Sequence, residues 1–72
     1  MGDKIPSWPY RKVVRNLEKL GYKIVRQKGS HIRMFCSGKD PITVPANSPV
    51  ARGTLRKILR DINVNLSDFL DI

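Results

Sequence analysis

Tyr22-Lys23-Ile24-Val25-Arg26-Gln27-Lys28-Gly29-Ser30-His31-Ile32-Arg33-Met34-Phe35-Cys36 is the stretch that decides the fold. Two runs, Tyr22 to Lys28 and His31 to Cys36, read as strands, with Gly29-Ser30 between them. A two-residue connection with Gly first is what a type II′ hairpin turn requires. Such a turn fixes the register. Lys28 then faces His31, Gln27 faces Ile32, Arg26 faces Arg33, Val25 faces Met34 and Ile24 faces Phe35. Directly opposed residues share a face of a sheet. One face therefore gathers Val25, Ile32, Met34 and Cys36, which suits a core. The other gathers Arg26, Lys28, His31 and Arg33, with Ile24 and Phe35 further along.

The second face is poor as pure structure. Arg26 opposite Arg33 sets like charges across a ladder, which is destabilising; a phosphate lying over the pair would relieve the repulsion. His31 is the only histidine of the chain, and imidazole is the one side chain that ordinarily titrates near neutral pH. If the protein moves protons, His31 carries them. Arg26, Lys28 and Arg33 would hold an anionic partner, helped by the amides of Gly29 and Ser30, since turn amides form anion-binding concavities. Phe35 lies on the same face and is open to stacking on a base, whereas Trp8 and Tyr10 read as core or helix-edge residues.

Outward from the hairpin the pattern becomes helical. Pro9 and Gly21 bracket a first helix, Pro being favoured in the first turn and Gly just past the end. Ser7 would cap it, or Trp8 if Pro9 is the first helical residue. Tyr10, Val13, Val14, Leu17 and Leu20 form its apolar face. Ser37-Gly38-Lys39-Asp40 reads as a turn and Pro41 to Val44 as a short third strand. Pro45 to Arg52 is a loop. Thr54 is the expected cap of a second helix that buries Leu55, Ile58, Leu59 and Ile62. Ser67 starts a short terminal turn through Asp68, Phe69 and Leu70. The expectation is one α+β domain over residues 1–72: helix, three-stranded antiparallel sheet, helix, then a helical turn. Two helices on one face of the sheet leave the other free for a partner.

Composition narrows the function. At 72 residues there is room for one modest core and none for a cofactor fold. Met1 to Pro6 lack the apolar stretch of a signal peptide, and no run is long enough to span a bilayer; a soluble cytoplasmic protein is expected, with no membrane partner. Cys36, the only cysteine, reads as a small core residue; with one histidine it makes neither a disulfide nor a zinc site, so no metal or cofactor is expected. The net charge is +8, but it is unevenly spread. Residues 1–60 hold all 14 Lys and Arg against three acids, giving +11, and the last twelve residues carry −3. Such a basic body suits nucleic acid. Three classes fit the residues: a nuclease, a non-catalytic RNA-binding module, and a DNA-binding regulator. The last has no helix-turn-helix spacing to support it, because strands separate the two main helices.

Leu20-Gly21-Tyr22, Arg26-Gln27-Lys28-Gly29-Ser30-His31, Val44-Pro45 and Gly53-Thr54-Leu55-Arg56-Lys57-Ile58-Leu59-Arg60 together resemble the HicA toxin family, over roughly residues 7–71. The resemblance implies a fold like the double-stranded-RNA-binding domain. It implies an mRNA interferase, a small endoribonuclease toxin held inactive in a heteromer with a HicB-type antitoxin. It also implies that His31 is the catalytic residue. One departure stands out. Many relatives carry Pro-x-His after the third strand; here the stretch is Pro45-Ala46-Asn47. Asn47 hydrogen-bonds but does not shuttle a proton, so a second histidine is missing from the monomer.

Overall fold

A computed structural model describes residues 8–47 and 49–72. The elements follow the expected order: helix α1 (Tyr10–Lys19), strands β1 (Lys23–Lys28), β2 (His31–Phe35) and β3 (Ile42–Pro45), helix α2 (Arg52–Ile62) and a short helix α3 (Leu66–Leu70). The three strands form one antiparallel sheet in the order β1-β2-β3. This is the α+β architecture that the sequence predicts.

The hairpin forms because Gly29 takes φ +57° while Ser30 stays outside the positive-φ region, the pattern of a II′ turn that a side chain at the first position would strain. Near the turn the register is the expected one: Lys28↔His31, Gln27↔Ile32 and Arg26↔Arg33. Beyond it the ladder departs from the expectation. A bulge between Ile24 and Arg26 leaves Val25 without a partner, so Ile24 pairs with Met34 and Lys23 with Phe35. Val25, expected in the core, is 58% exposed. A bulge inserts one extra residue and shifts everything beyond it by one position, which alternation alone cannot foresee.

The inner face is buried along β2 and β3, while Gln27 and Ile24 of the edge strand β1 stay exposed. Ile32, Met34, Ile42 and Val44 are buried together with Val13, Val14 and Leu17 of α1, Leu55, Ile58, Leu59 and Ile62 of α2, and Phe69 of α3. Each such side chain contributes about 1.5–3 kcal/mol when taken from water. Trp8 closes the core against Phe69, ring centroids 5.7 Å apart, and its carbonyl accepts the Val50 N–H at 2.7 Å. The buried Asn16 is satisfied: its amide donates to the Phe69 carbonyl at 3.0 Å and ties α1 to α3. Burial also raises the Tyr22 phenol above its ordinary pKa, reinforced by the nearby Cys36 and Asp40. Cys36 is half-buried against the core rather than within it.

Helix boundaries correct the sequence in detail. Pro9 is the residue before α1 rather than its first member, which displaces Trp8 from capping; Ser7 lies outside the described residues. Helix α2 starts at Arg52, so Thr54 is its third residue and not its cap. Asn65, not Ser67, precedes α3. The strand β3 sits one residue later than expected and ends on Pro45. Both main helices end alike: Tyr22 N–H returns to Leu17 and Gly21 N–H to Glu18, while Val64 N–H returns to Leu59 and Asn63 N–H to Arg60. This double return needs a left-handed residue, supplied by Gly21 at φ +103° and Asn63 at φ +59°. Leu20, at the end of α1, remains 36% exposed.

Candidate functional site

Among the described residues no helix covers the outer face of the sheet, and the residues of that face are exposed except for the half-buried Pro45. Cross-strand pairing arranges them in rows. Nearest the turn stand Lys28, His31 and Pro45. The next row is Arg26, Arg33 and Thr43, and beyond it Lys23 pairs with Phe35. Rows two residues apart on a strand are separated by about 6.6 Å. The imidazole therefore stands one row from a pair of guanidinium groups and directly opposite an ammonium.

Arg26, Lys28, His31, Arg33 and Thr43 line one shallow concavity of about 350 Å³. Among the described residues, none of its cationic side chains has a carboxylate partner. Arg33 donates instead to the Thr43 hydroxyl at 3.4 Å, a long bond that leaves most of its donors to solvent. A groove of similar size, about 340 Å³, runs between β3 and α2. There Lys57 and Asp61 pair at 2.9 Å and cancel each other. The charge imbalance, not the depth, singles out the outer face.

The structure thus brings together Arg26, Lys28, His31 and Arg33, as the register predicts. Gly29 and Ser30 sit at the exposed tip of the turn, and the Ser30 carbonyl accepts the Ala46 N–H at 2.6 Å. That bond fastens the turn to the end of β3. Ile24, expected on this face, shares the side of Met34; Lys23 takes its place opposite Phe35. Sequence reasoning missed Thr43, Pro45 and Lys23. The first two follow once β3 pairs with β2, but a four-residue strand carries no register signal of its own. Asn47 is exposed two residues beyond Pro45, the partner of His31. Among the described residues no three His, Cys, Asp or Glu side chains are grouped as metal ligands, and no helix is long and apolar enough to cross a membrane.

Comparison with curated proteins returned no match. The chain does match a family model, described as the HicA toxin of bacterial toxin–antitoxin systems, over residues 10–64. The matched stretch starts with α1, ends just past α2, and contains every residue of the outer face.

Proposed function

This chain belongs to the HicA toxin family of bacterial toxin–antitoxin systems, and on that footing we propose that it is an endoribonuclease acting on mRNA, with His31 as its catalytic residue. The observation that supports this most is the outer face itself. One exposed imidazole stands opposite Lys28 and one row from Arg26 and Arg33, with no carboxylate to neutralise them among the described residues.

RNA brings its own nucleophile. In the proposed step the 2′-hydroxyl loses its proton and its oxygen attacks the neighbouring phosphorus. The bond from phosphorus to the 5′-oxygen breaks, and that oxygen takes up a proton. The products are a 2′,3′-cyclic phosphate and a 5′-hydroxyl. His31 carries one of the two proton transfers. A positioned acid or base contributes typically about 10²- to 10⁴-fold. Arg26, Lys28 and Arg33 stabilise the charge that builds on the phosphorane-like oxygens, which is often the larger effect. The scheme requires no metal ion. In the cell the face would be covered by a HicB-type antitoxin, whose acidic groups would find a strongly basic partner; charge complementarity of that kind speeds association.

The test is the chemistry of the product ends. Purified protein in EDTA should cut RNA to leave 2′,3′-cyclic phosphate, and a strand with a 2′-deoxy nucleotide at the cut site should stay whole. Cleavage of the deoxy strand at the normal rate, or a strict metal requirement, refutes the scheme. RNA that is bound and never cut would identify a non-catalytic RNA-binding module of the same fold.

A further inference from the structure

We infer that Phe35 and Lys23 form a stacking subsite for an unpaired nucleobase, so that the outer face holds RNA as a single strand. The inference rests on the ribonuclease reading and adds to it the form of the substrate. It starts from the bulge at Val25. In a regular ladder Ile24 would face Phe35, making an aliphatic–aromatic patch. The bulge shifts the strand by one, so Lys23 stands opposite Phe35 and Ile24 turns to the side of Met34. An exposed ring, 43% accessible, thereby acquires a cation as its cross-strand neighbour.

The ring also continues a line. His31, Arg33 and Phe35 alternate along β2 and share one face, each with a cation opposite on β1: Lys28, Arg26 and Lys23. From His31 to Phe35 is about 13 Å along the strand. A cationic groove beside an aromatic platform is how proteins grip single strands, because every base offers a π-face whatever its identity. A duplex would not use Phe35: its bases are already stacked on both faces, and paired RNA is read by shape and backbone instead. The other large apolar side chains exposed among the described residues are placed differently. Leu20 ends α1, Ile24 lies on the Met34 side, and Val25 is the unpaired bulge residue.

The probe is a single-stranded oligonucleotide of about ten nucleotides, a length within the usual range for one small domain, made uncleavable by 2′-fluoro sugars. Its affinity is measured for the wild type, Phe35→Ala and Phe35→Tyr. Phe35→Ala should weaken binding about tenfold to a hundredfold, with Phe35→Tyr close to wild type and all three melting alike. On an abasic strand of the same length the three proteins should bind equally, and pairing the RNA with its complement should remove the advantage of the wild type over Phe35→Ala. Equal binding of the base-bearing strand by wild type and Phe35→Ala overturns the subsite, as does a penalty that persists on the abasic strand. Loss of an acidic protein partner with RNA affinity unchanged would assign Phe35 to protein docking and overturn it too. A wild type that binds this probe with the full Phe35 dependence yet cuts no natural RNA would leave the subsite standing and sink the nuclease reading alone.

Discussion

The two faces of one small sheet are made by alternate residues of the same strands, and they obey opposite rules. On the inner face Ile32, Met34, Ile42 and Val44 are buried in one core with the apolar residues of α1 and α2 and with Phe69 of α3. On the outer face His31, Arg33 and Thr43 lie open, and Arg33 opposes Arg26 across the ladder. Burial stabilises the first. The second costs stability, since like charges directly opposed repel. A fold shaped by stability alone would place a carboxylate opposite an arginine. The difference separates what holds this molecule together from what it does.

Substitutions should split along the same line. Met34→Ala removes a side chain with no exposure and should cost about 2–5 kcal/mol of stability, read as a large fall in melting temperature. If it melts like the wild type, the inner face is not the core described here. Asn16→Ala should cost about 1–3 kcal/mol, because it strands the buried Phe69 carbonyl that Asn16 serves. Asn16→Ala without a stability loss would mean that α3 is not anchored through this bond.

Arg26→Thr sharpens the comparison, because its two effects should have opposite signs. Removing one of the opposed guanidinium groups should stabilise the fold by about 0.2–1 kcal/mol. It should also lower the slope of log affinity for single-stranded RNA against log salt by about 0.7, the loss of one phosphate contact. A variant that is both less stable and unchanged in its salt slope would make Arg26 a structural residue.

The smallest effect concerns alkaline pH. Burial raises the Tyr22 phenol, so the fold favours its neutral form. That contribution is fully present below the ordinary phenol pKa of about 10 and is lost as pH climbs through the raised value. Tyr22→Phe should therefore lose less stability between neutral and strongly alkaline pH than the wild type does. Parallel pH–stability curves for the two proteins would remove this account of Tyr22.

The sequence carries the hairpin and both helices openly because their signals are local. Gly29-Ser30 specifies the turn, and the turn specifies the pairing of its nearest neighbours. Leu55, Ile58, Leu59 and Ile62 announce one buried helix face at the right spacing. What is not legible depends on long-range fit. The bulge at Val25 has no local marker, because no glycine or proline flags it, and it decides whether Ile24 or Lys23 meets Phe35. The place of Thr43 beside Arg33 is likewise set by strand pairing rather than by its own neighbours. Helix starts shifted because Pro9, Ala51 and Asn65 precede their helices without a side-chain cap bond, so the usual capping signature points to the wrong residue. Arg26, Lys28, His31 and Arg33 sit where the turn register places them, with Gly29 and Ser30 at the turn itself, while Lys23, Thr43 and Pro45 come from the bulge and from β3.

His31→Ala is the most direct measurement of whether the outer face is a catalytic surface. Its single-turnover RNA cleavage rate should be compared with the wild type alongside melting temperature and RNA affinity. The rate should fall by about 10²- to 10⁴-fold, with stability within about 0.5 kcal/mol, as for an ordinary exposed position, and with affinity little changed. Cleavage at the wild-type rate by a folded His31→Ala protein would contradict the account.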